Sequence, residues 1–156
     1  GISDEFDISK LRYHKIILLL DGDIDGAHIS CLLLTFFYRF MKKLIENGNL
    51  FLAEPPLYRI VKNKDVVYAK DDNELNSLIK GKNVENIVIQ RFKGLGEMNA
   101  DQLAETSVTP ETRTLRQIKI EDAVEADRVF TMLMGDDVQA RKEFISENAK
   151  EAQLDV

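Results

Sequence analysis

The sequence predicts an α/β fold, in which a Rossmann-like parallel sheet is followed by a mixed α+β region. Residues 15–20 form an almost wholly apolar run, which is typical of a strand buried on both faces of a parallel sheet. Residues 21–26 then supply a turn with three aspartates and two glycines, and a helical pattern follows. Because strand, loop and helix in this order form half of an α/β unit, we place an α/β region at residues 1–56 and a tail region at residues 57–156.

The helix after the turn is predicted over residues 27–47, because apolar side chains recur there at helical spacing and an Asn-Gly pair follows. Residues 50–53 form a second short strand, which Pro55 and Pro56 end. This second strand lies within the same α/β region as the first.

The tail region alternates short strands and helices, which predicts its mixed α+β character. Its predicted elements are a hairpin over 57–61 and 65–69, a helix from Asp71 or Asp72 to Ile79 closed by Gly81, a strand over 86–90, a short helix opened by Asn99 or Asp101, a strand over 115–120, and helices over 121–134 and 138–148.

The composition excludes several classes of protein. The net charge of −6 gives no sign of a nucleic-acid partner, so DNA binding has to come from local basic residues or bound metal. The single cysteine, Cys31, excludes an internal disulfide and fits a reduced thiol in a cytoplasmic protein. The apolar runs are far shorter than the roughly 18 residues of a membrane span, so no membrane partner is expected.

The acidic turn carries the strongest chemical signal in the chain. Asp21, Asp23 and Asp25 directly follow a strand, and ligands bind beyond the carboxyl ends of strands in such sheets. Alternate side chains point to one side where the backbone stays extended. Neighbouring carboxylates repel one another, and a hard cation such as Mg²⁺ removes that penalty. The turn therefore predicts a magnesium site, and two ions about 4 Å apart would suit phosphoryl transfer.

Two alternatives compete with a magnesium site. The pattern also opens an EF-hand calcium loop, but the twelfth position is then Leu32, which has no oxygen ligand, and a strand precedes the turn where an EF-hand has a helix. The second alternative is a solvated acidic turn that binds no ion. A buried strand that ends on three carboxylates favours the metal site over both.

Several motifs resemble one family. Residues 21–29, Asp-Gly-Asp-Ile-Asp-Gly-Ala-His-Ile, resemble the D-x-D-x-D-G-x-H-I motif of the TOPRIM domain in bacterial type IIA DNA topoisomerases. Residues 90–99, Gln-Arg-Phe-Lys-Gly-Leu-Gly-Glu-Met-Asn, resemble that family's Q-R-[YF]-K-G-L-G-E-M-N signature. Further similar segments are 32–39, 54–58 and 133–136. The chain thus resembles the C-terminal part of a B-type subunit, and its ending at 147–156 favours the gyrase branch over topoisomerase IV.

The resemblance implies a role in ATP-dependent change of DNA topology. It implies that Asp21 and Asp23 are catalytic metal ligands and that Asp25 supports a second Mg²⁺ ion. It also implies double-stranded DNA as substrate and an A2B2 heterotetramer, whose A-type subunit supplies the tyrosine that attacks DNA. ATP would bind a domain outside this chain. The four tyrosines present, Tyr13, Tyr38, Tyr58 and Tyr68, do not match the catalytic one.

The chain also departs from the family pattern. The family's catalytic glutamate, in an E-G-D-S-A motif on an earlier TOPRIM strand, has no counterpart here, so the chain alone is not expected to cleave DNA. Leu20, Gly22 and Ser30 stand where the family usually has threonine, alanine and arginine. A non-catalytic DNA-binding or scaffold fragment is therefore the rival function.

Three basic residues are candidate DNA contacts. Arg91 and Lys93 end a predicted strand beside two glycines, where a DNA phosphate can approach closely. The pattern alone favours an ordinary strand-to-helix turn, and the resemblance shifts the interpretation of Lys93 toward a DNA contact. His28 starts the predicted helix, and it is either packed near the sheet or in contact with phosphate.

Overall fold

The computed structural model describes residues 1–80 and 86–149, which form two three-stranded sheets with helices packed against them. The strands are β1 (Ile16–Leu18), β2 (Leu50–Ala53), β3 (Tyr58–Lys62), β4 (Asp65–Ala69), β5 (Ile87–Arg91) and β6 (Leu115–Gln117). The helices are α1 (Ile24–Phe40), α2 (Lys42–Glu46), α3 (Asp72–Ile79), α4 (Ala100–Leu103), α5 (Ile120–Met134) and α6 (Val138–Asn148). Single 3-10 turns lie at Ser3–Glu5, Ile8–Lys10 and Leu95–Glu97, and a π-helical turn lies at Ala104–Val108.

Two sequence predictions cannot be compared with the fold. The stop of α3 at Gly81 and the ending over residues 150–156 both lie outside the described residues. Within the described ranges, every helix is too short or too polar to cross a membrane.

The first sheet confirms the predicted α/β class. Strands β1 and β2 are parallel, with Ile16 opposite Leu50 and Leu18 opposite Leu52. Strand β6 pairs with β2 in the antiparallel direction, so the sheet order is β1-β2-β6. Since β6 comes from the predicted tail, that part of the chain completes the first sheet, and the division at residue 56 stays a prediction.

Helix α1 differs from its prediction at both ends. It begins at Ile24, three residues before the predicted start, because Asp23 caps it by accepting a hydrogen bond from the Gly26 amide. It ends at Phe40, and Met41 (φ −145°) separates it from α2. The apolar spacing continues through this break, so periodicity alone predicts one uninterrupted helix. The break brings the buried residues Leu44 and Ile45 of α2 into the core.

The prediction that the first strand is buried on both faces is wrong for most of it. Leu18 is buried, whereas Ile16 and Ile17 are only half-buried and Leu19 is 39% exposed. The reason is that Ile16, Leu18 and Leu20 lie on the face that packs against the main core, whereas Ile17 and Leu19 belong to the opposite face.

The main core lies between the first sheet and the helices α1, α2 and α5. Its buried members are Leu18, Leu34, Ile45, Leu50, Ile118 and Ala123. Helices α1 and α5 are also joined by polar contacts, since the Arg39 guanidinium donates to Asp127 at 2.5 Å and to the Thr131 hydroxyl at 2.8 Å. Cys31 on α1 donates to the Ala126 carbonyl, and partial burial raises the pKa of its thiol.

The second sheet has the order β4-β3-β5, with both pairings antiparallel. Tyr58, Ile60 and Ala69 form its core, against which Leu75 and Leu78 of α3 pack. The predicted hairpin, the short helix and the strand before Arg91 are thus all present. Asp71 caps α3 by accepting a hydrogen bond from the Glu74 amide at 2.8 Å.

The hairpin turn gives a prediction about stability. Asn63 has φ +57°, in the left-handed region that strains side chains branched at Cβ. We expect Asn63→Val to lower the free energy of unfolding by about 1–2 kcal/mol, and Asn63→Gly to leave it equal or higher. Urea unfolding of the chain measures both changes. Lys64→Val at the neighbouring position, where φ is not positive, is the control, and an equal loss in both valine variants would contradict the prediction.

Candidate metal centre

The acidic turn lies at the carboxyl end of β1, beside the end of the parallel strand β2. Its backbone is fixed by the helix cap, in which the Gly26 amide donates to Asp23 Oδ1 at 2.7 Å. Gly26 is buried against the turn, and a Cβ at this position would collide with the Asp21 carbonyl oxygen. The turn is therefore tight, and glycine at position 26 is a steric requirement.

The predicted signature segment lies directly on the acidic turn. The Leu95 amide donates to Asp21 Oδ1 at 2.7 Å, although the two residues are 74 positions apart. A Cβ on Gly94 would lie 3.1 Å from the Asp21 carboxyl carbon. The fold thus joins the two motifs on which the family resemblance mainly depends.

Asp21 and Asp23 line one open cleft of about 410 Å³. Asp25 is not among the residues that line it. All three carboxylates would point to one side only if the backbone stayed extended. It does not, because the chain enters α1 at Ile24. The other lining residues are Leu20, Gly22, Gly26, Ala27, Ser30, Leu52, Ala53, Glu54, Pro55, Leu57, Lys70 and Arg116.

The charged groups of the cleft nearly balance. The carboxylates of Asp21, Asp23 and Glu54 face the cations Lys70 and Arg116, which leaves one negative charge in excess. The Arg116 guanidinium lies 3.1 Å from Glu54 and 3.7 Å from Asp122. Since all three side chains are more than a third exposed, solvent screens these ion pairs, and they contribute little to stability.

The donor set fits magnesium. Among the described residues, no three histidine, cysteine or acidic side chains lie together as ready metal ligands. Mg²⁺ does not need such a cage, because it retains several waters and binds through one or two carboxylates. Asp21 and Asp23, exposed to the same cleft, supply that number, and Asp25 as a metal ligand stays a prediction.

The predicted DNA contacts are all exposed, and they lie in three different places around the acidic turn and the second sheet. Lys93 lines a small crevice together with Gly22. The Arg91 guanidinium lies 5.9 Å from the centre of the Tyr58 ring, on the second sheet. His28 lies on α1 and is not among the residues that line the cleft. These placements leave all three roles as predictions.

Of the charged residues of the cleft, sequence reasoning missed Glu54 and Lys70, and it left open whether Arg116 contacts the DNA backbone. Glu54 directly follows β2, so the rule that ligands bind beyond the ends of parallel strands would have found it. Lys70 follows β4 in the other sheet, and Arg116 lies on the antiparallel strand β6. No local pattern connects those two residues to the acidic turn.

Comparison with known proteins gives two family matches. Residues 2–55 match the Toprim domain, and residues 84–146 match the carboxyl terminus of the DNA gyrase B subunit. The chain is 55% identical over its whole length to the DNA gyrase B subunit of Clostridium acetobutylicum. It is 54% identical over 99% of its length to the corresponding subunits of Staphylococcus epidermidis and Staphylococcus aureus.

The chain spans about a quarter of the length of these relatives, 25% for the clostridial and 24% for the staphylococcal proteins. The matches confirm the predicted TOPRIM resemblance and favour the gyrase branch over topoisomerase IV. With identity above half along the whole chain and two family models matched in the expected order, this chain corresponds to a Toprim domain region followed by the carboxyl-terminal region of a DNA gyrase B subunit.

Proposed function

We propose that this chain forms part of the DNA-cleavage site of a gyrase, in which Asp21 and Asp23 bind Mg²⁺. The observation that carries the proposal is the cleft at the end of β1, which is lined by both carboxylates. One of them, Asp21, also accepts a hydrogen bond from the Leu95 amide of the signature segment. When bound, Mg²⁺ supplies positive charge that stabilises the phosphoryl group and the leaving oxygen during cleavage and resealing.

The chain's own residues have separate roles in this proposal. Asp21 and Asp23 hold the cation in the cleft, and Asp25 supports a second ion or its water shell. Lys93, beside Gly22 of the acidic turn, contacts the DNA backbone, and Arg91 and His28 make further contacts to it. Since the chain is acidic overall, the local cations Lys93 and Arg91 supply the attraction for DNA that the net charge of −6 does not.

The partners of the proposed enzyme follow from the family. The relatives are named as B subunits of DNA gyrase, and we propose that this chain likewise acts with an A-type subunit that carries the attacking tyrosine, in an A2B2 assembly in the cytoplasm. ATP binds a part of the protein outside these residues. The chain alone, without the family's glutamate motif, is proposed to be inactive in cleavage.

The proposal is tested with a complete gyrase-B-type protein that carries this chain, assembled with its A-type subunit on supercoiled plasmid. We expect Mg²⁺-dependent linear DNA from the unmodified complex and almost none from Asp21→Asn. Asp25→Asn is the matched control at the same turn, and we expect a smaller loss because Asp25 does not line the cleft. Undiminished cleavage by Asp21→Asn would show that the proposed metal site is wrong.

The gyrase activity has its own test. With ATP, the assembled complex is expected to introduce negative supercoils into relaxed plasmid. Strong unlinking of catenated circles without net negative supercoiling would instead indicate an activity of the topoisomerase IV type.

A further inference from the structure

We propose that the backbone at Gly94 and Leu95 is a positioning element for the Asp21 carboxylate, which it anchors through one oxygen so that the other remains available in the cleft. This inference rests on the proposed function of Asp21 as a metal ligand. It gives Gly94 of the signature segment a different role from the phosphate contact that the Gly-x-Gly pattern suggests.

A hydrogen bond joins the Leu95 amide, as donor, to Asp21 Oδ1. Its length of 2.7 Å lies at the short end of the range for an amide donor. In the described part of the chain no donor is bonded to Oδ2. A carboxylate that is held through one oxygen keeps a fixed orientation, which is the condition for binding a cation with few protein ligands.

Gly94 packs closely against the Asp21 carboxylate. Its φ of −159° is extended backbone that any residue adopts, so the backbone angle does not demand glycine. The space around it is tight, since a Cβ would lie 3.1 Å from Asp21 Oδ1 and 3.2 Å from Oδ2. A side chain at position 94 therefore has to push the carboxylate out of place by a few tenths of an ångström.

The signature segment also holds its own shape through internal hydrogen bonds. The Glu97 side chain accepts a hydrogen bond from the Lys93 amide at 3.0 Å, and the Glu97 amide donates to the Gly94 carbonyl at 3.1 Å. The Met98 amide donates to the Leu95 carbonyl at 3.1 Å. These bonds fix the direction of the Leu95 amide, so it can orient Asp21 without help from the metal.

The chain contains a matched control two residues away. A Cβ on Gly96 meets nothing within 4 Å, so Gly96→Ala changes the same turn without approaching Asp21. In the complete gyrase-B-type protein, we expect Gly94→Ala to weaken Mn²⁺ binding, followed by electron paramagnetic resonance, by about 10-fold, the lower end of the range for residues that orient metal ligands. Gly96→Ala is expected to bind Mn²⁺ as the unmodified protein does.

In the assembled enzyme, Gly94→Ala is expected to raise the Mg²⁺ concentration for half-maximal cleavage by a similar factor, while excess Mg²⁺ restores the maximal level. A merely structural defect would lower the maximal level without this rescue. Equal Mn²⁺ affinity for the two alanine variants would overturn the proposal. If Asp21→Asn cleaves DNA normally, the proposed function fails; if only Gly94→Ala is without effect, the positioning role alone fails.

Hydrogen exchange provides a second measurement, which holds even if Gly94→Ala does not fold. We expect the Leu95 amide to exchange faster with solvent in Asp21→Ala than in the unmodified protein, because its acceptor is lost. The Glu97 amide, bonded to the Gly94 carbonyl, serves as the internal reference. Unchanged exchange at Leu95 would show that Asp21 is not its partner in solution, and this too would overturn the proposal.

Discussion

Replacement of Asp23 by asparagine is expected to reduce Mg²⁺-dependent DNA cleavage by at least about 100-fold. Loss of a metal ligand reduces activity at least as much as loss of a residue that only orients such a ligand. The substitution is informative because Asp23 also caps α1 through the Gly26 amide. Asparagine is as good a helix cap as aspartate, so Asp23→Asn keeps the cap and removes the charge.

Asp23→Ala separates the two roles of this residue. It is expected to lose cleavage to the same extent and also about 1 kcal/mol of stability, because alanine cannot accept the hydrogen bond from the Gly26 amide. Thermal melting of Asp23→Asn and Asp23→Ala, measured together with DNA cleavage, separates the loss of stability from the loss of metal binding. Normal cleavage by Asp23→Asn would contradict the role of Asp23 as a metal ligand. Equal melting temperatures for the two variants would contradict its role as a helix cap.

The second large effect is expected in the core. Leu50 on β2 is fully buried between β1 and β6, and its carbonyl accepts a hydrogen bond from the Ile118 amide. We expect Leu50→Ala to lower the free energy of unfolding by about 2–5 kcal/mol, since it leaves a cavity in a closely packed core. Urea unfolding measures this change.

Leu32→Ala is the control for that measurement. Leu32 is 37% exposed on α1, and alanine favours helix, so the expected loss is below about 1 kcal/mol. A loss for Leu50→Ala no greater than that for Leu32→Ala would mean that the first sheet is not the centre of the core.

Most of the secondary structure could be predicted from the sequence, because its signals are local. The acidic turn, the hairpin of β3 and β4, and the caps of α3 and α4 all depend on residues close together in the chain. The break at Met41 has no glycine or proline beside it, so periodicity gives no sign of it. The start of α1 at Ile24 could be predicted only if Asp23 was known to cap the helix with one of its carboxylate oxygens.

The candidate site could be predicted only in part. Three aspartates after a strand indicate metal chemistry, but only the backbone path shows that Asp21 and Asp23 share a cleft that Asp25 does not line. The bond between Leu95 and Asp21 spans 74 positions, and the approach of Lys70 depends on how the second sheet meets the first. Such long-range contacts follow from packing, which no short pattern encodes.

We propose that Asp21 and Asp23 hold the metal used in DNA cleavage. The most direct test of this proposal is a crystal structure of the assembled enzyme on DNA with Mn²⁺, with diffraction collected at the manganese absorption edge. We predict an anomalous peak within bonding distance of carboxylate oxygens of both residues. Manganese peaks at the cleaved phosphate that are bonded to neither Asp21 nor Asp23 would contradict this assignment.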